Sequence, residues 1–451
     1  MQEVTLSEML DARDRRVALQ TRLLQQYGTP LVCFTLNIAG PIKVSPLIER
    51  AFYEGVRILE HRLPEQRVLH REVEVSVAGC QAMFCVNTDA VTLKAVCTAI
   101  EDDCALGRLF DMDVLNTDGI KLERNMMRGC IVCGSPGRGC AARRLHTVEE
   151  LQRVTERIIT DYFFSADGKR IAKLATDSLL KEVDITPKPG LVDRRNNGSH
   201  TDMTIDTFKK SAHALTPYFH RCVSIGCETA RQPPSDTFQL LREAGIEAEQ
   251  TMYRVTDGVN THKGAIYLMG VLCGALGRLW APAMPLPSLA DLLSLCSDMT
   301  CDAVARDFLS IDTVTAGGRL YREQGLTGIR GEVAAGFPSV AGIGLPVYQQ
   351  ALDSGLNAND AGAVTLIHLI AGVQDTNLYH RGGSEGARYA ADEAKRLLSV
   401  SIFPSSKQIE RLDDAFIARN LSPGGCADLL AVTYFLSKLK ELYLSLREQQ
   451  I

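Results

Sequence analysis

The chain changes character near residue 170, and this change restricts its possible folds more than any other feature. Before that point, segments such as 30–38 and 109–115 are rich in strand-forming residues. Beyond it, nearly every segment shows the helical spacing of apolar side chains, broken by short loops rich in Gly, Asn and Pro. The 451 residues also exceed what one ordinary hydrophobic core accommodates. We therefore predict two domains, residues 1–162 and 168–451, with a junction in the stretch FFSADGKR.

The first domain is predicted to be small and α/β, because helical and strand patterns alternate along it. Ser7 is placed to cap its first helix. The second domain is predicted to be an all-α helical bundle. The predicted strands cover 30–38, 68–77, 81–86 and 109–115; the predicted helices cover 7–26, 46–63, 90–103 and 147–161, with 361–374, 392–398 and 426–441 as examples in the second domain.

Composition and charge favour a cytoplasmic protein with no nucleic-acid or membrane partner. The net charge of −5 provides no electrostatic footprint for nucleic acid or an anionic membrane. No apolar run reaches the roughly 18–20 residues that span a bilayer, and the first residues lack the apolar core of a signal peptide. The 14 cysteines often lie in apolar stretches, which is typical of buried thiols in a reducing compartment.

Two carboxylates lie two residues apart in the predicted strand FDMDV. Because strand side chains alternate between faces, Asp111 and Asp113 share one face, about 6–7 Å apart. A divalent cation such as Mg²⁺ relieves their repulsion, as in nucleotidyl-transfer sites, so the domain is nucleotidyltransferase-like. Gly107 and Arg108 just before the strand could approach and pair a phosphate. An edge strand with one solvated face is the alternative.

A cysteine-dense stretch comes next, with the spacing Cys130-x2-Cys133-x6-Cys140-x5-His146. Structural zinc sites use paired Cys residues together with a further Cys or His. The first pair has a suitable spacing, whereas the second half is irregular. A structural Zn²⁺ site and a set of ordinary thiols both remain open.

Loops of the second domain concentrate carboxylates and bases beside apolar helices, which predicts one polar site at an end of the bundle. The loop at 182–203 is made rigid by its Pro and Gly residues. The segments 257–264 and 375–382 share a frame of Asp, His, a basic residue and Gly, either by chance or as two equivalent loops facing one site. No Walker loop is present. The polar residues are Asp193, Arg194, Arg195, Asn197, His200, Asp202, Glu228, Asp257, Asn260, His262, Lys263, Arg330, Glu332, Asp375, Asn377, His380, Arg381 and Asp428.

These motifs carry a resemblance to known families. The second half resembles the triphosphoribosyl-dephospho-CoA synthase family of citrate lyase maturation, through EVDITPKPGLVDRRNNGSHTDM, TDGVNTHKGAI, GIRGEVAAGFPSV, DTNLYHRGG and LSPGGCADLLAVTYF. The first half resembles the citrate lyase holo-acyl-carrier-protein synthase family, the apo-citrate lyase phosphoribosyl-dephospho-CoA transferases. That likeness rests on TLNIAGPIK, LGRLFDMDVL and the Cys/His stretch. The whole chain resembles a natural fusion of the two.

The resemblance implies two consecutive reactions. In the helical half, the 2′-hydroxyl of 3′-dephospho-CoA attacks C1 of the ATP ribose and adenine leaves. In the α/β half, a serine of the apo acyl carrier (gamma) subunit of citrate lyase attacks the α-phosphate of the resulting triphosphate, and pyrophosphate leaves. ATP, 3′-dephospho-CoA and the apo acyl carrier subunit are therefore the expected partners, with Mg²⁺ as the expected cofactor.

Residues of both halves fit these reactions. In the first half, Asp111 and Asp113 would bind Mg²⁺ and Arg108 would pair a phosphate. Lys43 and Arg124 are weaker candidates for the triphosphate, and Glu72 or Glu74 on the neighbouring strand could supply a third carboxylate. In the second half, metal and general-base roles would fall to Asp193, Asp202, Glu228, Asp257 and Asp375, and substrate contacts to Arg194, Asn197, His200, Asn260, His262, Lys263, Arg330, Asn377 and Arg381.

Two alternatives remain open. A similar synthase serves malonate decarboxylase, which uses the same kind of prosthetic group, although the fused transferase half favours citrate lyase. The first domain could instead be a zinc-stabilised docking module that only recruits the carrier protein.

Overall fold

The computed structural model describes residues 2–135, 140, 143–283, 287–309 and 316–448. The chain divides into two compact units. One holds the chain up to Ala166, and the other begins at Asp167 and contains most of the remaining chain.

The first unit is a four-stranded antiparallel sheet with helices on both faces. Its elements are α1 (Leu6–Tyr27), β1 (Leu31–Leu36), α2 (Pro46–Arg62), β2 (Val68–Ser76), β3 (Gly79–Val86), α3 (Ala90–Asp103) and β4 (Phe110–Leu115). The strand order is β2-β3-β1-β4, so β4 and β2 form the two edges. The order of helices and strands predicted from the sequence is therefore confirmed.

The two faces of the sheet have different coverings because strand side chains alternate. On one face, Leu23 of α1 packs into an apolar cluster with Cys33 of β1 and Met83 of β3. On the other face, Phe34 stacks on Phe52 of α2 with ring centroids 5.2 Å apart. The sheet is thus the middle layer of three.

Two local predictions in the first unit are wrong. The cap of α1 is Thr5, whose hydroxyl accepts from the backbone N–H of Glu8 in a reciprocal capping box, so Ser7 lies inside the helix. The predicted end of the helix 147–161 at Asp161 is also wrong, because α4 (Val148–Asp184) continues through FFSADGKR, within which the two units divide between Ala166 and Asp167. That stretch contains no proline, and Phe163 and Ile171 on either side of its Gly168 are buried, so packing maintains the helix.

The second unit is all-helical over its described residues, as predicted. Its centre is formed by the apolar helices α8 and α13, whose residues are buried over most of their lengths. After α4 the helices are α5 (Ile205–Ala214), α6 (Thr216–Glu228), α7 (Pro234–Val255), α8 (Lys263–Leu279), α9 (Leu289–Leu309), α10 (Ala316–Gln324), α11 (Gly328–Ala334), α12 (Leu345–Asp353), α13 (Ala358–Gly372), α14 (Thr376–Val400), α15 (Ser406–Ala418) and α16 (Gly424–Glu448).

Helices α6 and α8 approach each other backbone to backbone. A Cβ atom at Gly226 would overlap the carbonyl oxygen of Gly274, and one at Gly277 would overlap the carbonyl oxygen of Val223. Glycine is required at these positions because no side chain fits between the two helices.

A search of the described helices finds no segment that combines the length and the apolar character needed to cross a membrane.

Candidate functional site

The acidic pair of the first unit lies on edge strand β4. Phe110, Met112 and Val114 are buried, whereas Asp111 is exposed and Asp113 partly exposed, as the alternation predicts. Their cross-strand partners on β1 are Thr35 and Cys33.

Cations surround this carboxylate pair. Lys121 Nζ lies 2.6 Å from Asp113 Oδ2, and Lys94 Nζ donates to the carbonyl oxygen of Met112 at 3.0 Å between the two aspartates. Partial desolvation by the surrounding chain, and then the charge of Asp113, raise the pKa of Asp111. Neither lysine was singled out from the sequence, because only folding brings them to β4.

Glu72 and Glu74 do not lie beside the aspartates. They share the same sheet face, but β2 is the opposite edge of the sheet, three strand spacings or about 14 Å away from β4. Glu72 pairs with Arg22 at 2.9 Å. The prediction of a neighbouring strand was wrong because strand order is not encoded in local patterns.

The other predicted phosphate-binding residues of this unit have protein partners. Arg108 donates to the carbonyl oxygen of Gly129 at 2.7 Å, and Lys43 donates to that of Ile38 at 2.5 Å. Arg124 pairs with the carboxylates of Glu101 and Asp102. Burial raises the pKa of Glu101, which also accepts from the backbone N–H of Met112 at 2.8 Å and so fixes the free edge of β4.

The cysteine-dense stretch brings four ligand-type atoms together. Those of Cys130, Cys133, Cys140 and His146 all lie within 4.8 Å of one another. The backbone N–H of Val132 donates to Cys130 Sγ at 3.4 Å, and His146 Nε2 is buried without a hydrogen-bond partner among the described residues. Three thiols and one imidazole of this geometry fit a tetrahedral zinc ion.

A cavity of about 770 Å³ adjoins this Cys/His cluster. Three arginine residues line it, together with apolar residues of α4. The cationic residues are Arg108, Arg128 and Arg144, and the apolar ones include Val148 and Leu151.

In the second unit, a buried ion pair supports the loop after α4. Lys188 Nζ donates to Glu182 Oε1 at 2.6 Å and to the Glu182 carbonyl oxygen at 2.9 Å. Asp193 accepts from the backbone N–H groups of Lys188, Arg195 and Asn196 and so folds the loop. Lys188 stands in the quoted motif PKPG, but its burial and its partner were not predicted.

His200 and Arg381 meet at the end of the same loop. Arg381 Nη2 lies 3.0 Å from His200 Nδ1, and His200 Nε2 lies 2.9 Å from Ser422 Oγ. Burial, and then the charge of Arg381, lower the pKa of His200 to about 4. Asp202, which is mostly exposed, lies 3.8 Å from the imidazole.

Asp375 is buried at the start of α14 and joins two motifs. Its Oδ1 accepts from the backbone N–H groups of Asn377 and Leu378, and its Oδ2 accepts from that of Cys426 at 2.8 Å. Burial raises its pKa. With both oxygens engaged, Asp375 holds the start of α14 against the first turn of α16.

Asp428 lies close by and has a different environment. Among the described residues, none donates a hydrogen bond to its carboxylate. Burial, and then the charges of Glu182 and Asp375, raise its pKa well above the ordinary value. A Cβ atom at Gly264 would overlap Asp428 Oδ2, so that glycine leaves room for the carboxylate.

A cavity of about 500 Å³ opens beside Asp375. Glu332 lines it and accepts from the backbone N–H and the hydroxyl of Ser339 at 2.7 and 2.9 Å. Burial raises the pKa of Glu332. The lining also includes backbone from glycine-rich segments, which lets a ligand approach the main chain.

The segments 257–264 and 375–382 are not equivalent loops. Asp257 is exposed and has a positive φ of 55° in the turn after α7, whereas Asp375 caps a helix. His262 is buried with Nδ1 2.8 Å from Ser211 Oγ, whereas His380 is exposed inside α14.

Glu182, Lys188, Asp375 and Asp428 form the polar centre of the second unit. The remaining predicted residues lie outside this centre or at its rim. Glu228 is exposed and paired with Arg221 at 3.1 Å. Arg194 pairs with Asp184, and Lys263 pairs with Glu249. Arg330 lines a separate cavity of about 190 Å³; Asn197, Asn260 and Asn377 are exposed.

Comparison with known proteins identifies both halves. Residues 168–446 match the family described as ATP:dephospho-CoA triphosphoribosyl transferase, and residues 4–162 match the apo-citrate lyase phosphoribosyl-dephospho-CoA transferase family. The Protein CitXG of Haemophilus influenzae is 34% identical over 451 residues, covering 96% of each chain. That of Leuconostoc mesenteroides is 31% identical over 97% of this chain and 98% of its own.

A relative of the second half alone is also similar. The 2-(5''-triphosphoribosyl)-3'-dephosphocoenzyme-A synthase of Haemophilus ducreyi is 38% identical over 68% of this chain and 99% of its own length. The chain is a transferase that belongs to the ATP:dephospho-CoA triphosphoribosyl transferase family, with a domain of the apo-citrate lyase phosphoribosyl-dephospho-CoA transferase family in the same polypeptide.

Proposed function

We propose that the chain carries out two consecutive steps in the maturation of citrate lyase. The helical half makes 2′-(5″-triphosphoribosyl)-3′-dephospho-CoA from ATP and 3′-dephospho-CoA, with release of adenine. The α/β half transfers this group to a serine of the apo acyl carrier subunit, with release of pyrophosphate. The observation that carries the proposal is the match of both halves to the two families within a single chain.

In the synthase step, the dephospho-CoA hydroxyl forms a bond to C1 of the ribose while the bond from C1 to adenine breaks. The hydroxyl proton needs a base, and we assign that role to Asp428. Its carboxylate accepts no hydrogen bond from the described residues, and burial raises its pKa well above the ordinary value. Asp375 is instead a positioning residue, because backbone N–H groups occupy both of its oxygens.

The triphosphate needs cations around it. We assign this role to Arg381 at the end of the loop after α4, where the neutral imidazole of His200 can add a hydrogen bond, and to Mg²⁺ held by carboxylates among Asp193, Asp202 and Glu332. Glu332 is the member of this set that lines the cavity beside Asp375. Mg²⁺ would supply charge neutralisation for the phosphate oxygens.

In the transferase step, the serine oxygen forms a bond to the α-phosphorus while the bond to the pyrophosphate oxygen breaks. Asp111 and Asp113 would hold Mg²⁺, because two carboxylates on one strand face are suitable hard ligands. Lys121 and Lys94 contact the same strand and limit the negative charge of the pair.

The remaining components are inferred from the chemistry of the side chains. Cys130, Cys133, Cys140 and His146 would bind a structural Zn²⁺, which supplies cross-linking of the loop and no reacting group. A cytoplasmic location fits the 14 cysteines, all of which are free thiols.

The test is adenine release from ATP, Mg²⁺ and 3′-dephospho-CoA, with later addition of the apo acyl carrier subunit and a mass spectrum of that subunit. We expect adenine release and then a mass gain on the carrier. The Asp428→Asn variant should lose adenine release, while Asp392→Asn, which changes an exposed carboxylate of α14, serves as the matched control.

Two results would contradict the proposal. Adenine release without a mass gain would leave the first half as a docking module, and absence of adenine would remove the synthase assignment. Labelling of a malonate decarboxylase carrier in preference to that of citrate lyase would change the identity of the acceptor.

A further inference from the structure

The cavity beside the Cys/His cluster has no role in the two reactions as proposed above. We propose that it receives the phosphates of the group donor in the transferase step, and that the metal-bound cluster forms its wall. This inference rests on the proposed transferase function and adds to it a donor subsite and a reason for the metal.

The charge of the cavity points to a polyanionic ligand. Arg108, Arg128 and Arg144 line it, and no carboxylate is among the described residues of its lining. Glu101, the buried carboxylate that pairs with Arg128 at 3.3 Å, lies outside the lining. Arg128 is thus already neutralised by Glu101, whereas Arg108 and Arg144 have no carboxylate partner among the described residues, and guanidinium is the preferred partner of phosphate oxygens.

Arg144 is the member of this set that is available to a ligand. Within the described part of the chain it forms no hydrogen bond or ion pair, whereas Arg108 and Arg128 hold backbone carbonyl oxygens. Its φ of 48° is in the left-handed region, which a non-glycine residue adopts only where its surroundings require it. This turn places Arg144 in the cavity lining four residues after Cys140 and two before His146.

The Cys/His cluster forms one wall of the same space. Cys130, Cys140 and His146 all line the cavity, as do Ile131 and Leu145 next to them. Without a metal, His146 Nε2 is a buried nitrogen with no hydrogen-bond partner in the described structure. A zinc ion would engage this atom and three sulfurs, and would thereby fix the loop that carries Arg144.

The cavity also adjoins the strand end that carries the aspartates. Arg128 donates to the carbonyl oxygen of Phe110 at 2.6 Å, and Phe110 is the residue before Asp111. Asn37, in the lining, comes after β1 on the face that Thr35 shares with Asp111. A donor whose α-phosphate lies at the aspartates can therefore direct its terminal phosphates into the cavity. When the serine oxygen bonds to the α-phosphorus, the electron pair of the broken bond leaves with pyrophosphate, whose charge the arginines then hold.

Two adjacent arginines provide a matched test of the subsite. Both side chains are exposed, but Arg144 lines the cavity and Arg143 does not. In the full-length protein, Arg144→Gln should raise the KM for purified triphosphoribosyl-dephospho-CoA about tenfold or more, the usual effect of losing one charged phosphate contact. It should weaken inhibition by pyrophosphate by a similar factor, with a smaller change in kcat. Arg143→Gln should change neither quantity, and a retained kcat for carrier labelling serves as the folding control for both variants.

Zinc binding by the Cys/His cluster is tested on the same full-length protein. We expect the purified chain to hold about one zinc ion and Cys133→Ser to lose it, with faster tryptic cleavage after Arg143 and Arg144 and a higher donor KM. Cys104→Ser, a partly buried cysteine outside the cluster, should retain the zinc and the wild-type KM.

The results that overturn the inference differ from those that overturn the proposed function. The donor subsite is refuted if Arg144→Gln and Arg143→Gln have the same donor KM and the same inhibition by pyrophosphate. The role of the metal is refuted if a zinc-free protein labels the carrier normally. If the wild-type chain labels no carrier, the proposed transferase function fails. Equilibrium binding of labelled pyrophosphate to the two arginine variants still decides whether the cavity binds polyphosphate, since equal binding refutes the subsite.

Discussion

The buried ion pair between Lys188 and Glu182 provides the sharpest test of what stabilises the second unit. Their side chains are 2% and 8% exposed, and the charged atoms lie 2.6 Å apart. The Lys188→Met variant keeps most of the side-chain volume but leaves Glu182 without its counter-charge. Removing one partner of a buried pair costs about 3–5 kcal/mol, because the remaining charge stays desolvated. We expect a loss of unfolding free energy of this size near pH 8.

The matched control changes an exposed pair of the same type. Lys173 and Asp177 lie 2.5 Å apart on the surface of α4, with 73% and 49% of their side chains exposed. Because water screens such a pair, Lys173→Met should change the unfolding free energy by about 0.5 kcal/mol or less. The two substitutions thus differ chiefly in the burial of the charge.

The pH dependence of the stability loss in Lys188→Met tests the same ion pair independently. Burial raises the pKa of Glu182, and Lys188 acts against that rise. Without Lys188 the folded-state pKa rises further, so the folded chain binds more protons than the unfolded chain above the ordinary value of 4.5. Stability then falls as the pH increases from that value toward the folded-state pKa. The deficit of Lys188→Met should therefore be smaller at about pH 5 than at about pH 8.

The assay uses the only tryptophan of the chain. Trp280 belongs to the second unit, and its Nε1 donates to Asp167 Oδ2 at 2.9 Å. Its fluorescence during urea unfolding reports on that unit at both pH values. A Lys188→Met protein that stays within about 1 kcal/mol of Lys173→Met at pH 8, or whose deficit does not change with pH, would refute the reasoning.

Three further predictions concern single positions. The charge of Asp113 raises the pKa of Asp111, so Asp113→Asn should lower that pKa. Carboxyl NMR measures it, and an unchanged pKa of Asp111 would contradict the coupling. Gly226→Ala should cost about 1–3 kcal/mol in urea unfolding because its Cβ would overlap Gly274 in α8, whereas Gly342→Ala, where a Cβ meets nothing within 4 Å, should not. Burial lowers the pKa of His262 to about 3, so the folded chain loses stability as the pH falls from about 6.5 toward 3, and His262→Gln should reduce this acid dependence.

Local patterns predicted the elements of the first unit because each carries its own periodicity. The run from Phe110 to Val114 alternates apolar and acidic residues, and its structure results directly from that alternation. The position of Glu72 could not be predicted in this way, since strand order depends on contacts between distant segments. Helix α4 was predicted to end at Asp161, but the polar stretch FFSADGKR stays helical because Phe163 and Ile171 are buried.

In the polar centre of the second unit, too, the sequence predicted some features and not others. Its loops were recognisable from their density of charged residues and from their family motifs. The sequence could not distinguish Asp375, whose oxygens are occupied by backbone N–H groups, from Asp428, whose carboxylate accepts no hydrogen bond within the described structure. That distinction needs the start of α16 beside α14, which is a tertiary contact.

Each unit builds its candidate site from its own residues, and this determines how the two reactions depend on each other. The cavity beside the Cys/His cluster is lined by residues between Asn37 and Thr155, and the cavity beside Asp375 by residues between Gly325 and Leu429. A substitution in one site therefore leaves the groups of the other in place. Asp111→Asn should stop carrier labelling while adenine release continues, so triphosphoribosyl-dephospho-CoA should accumulate. Adding triphosphoribosyl-dephospho-CoA should restore carrier labelling by the Asp428→Asn variant, because the intermediate alone connects the two steps. A variant that fails in both steps after addition of the intermediate would contradict this separation.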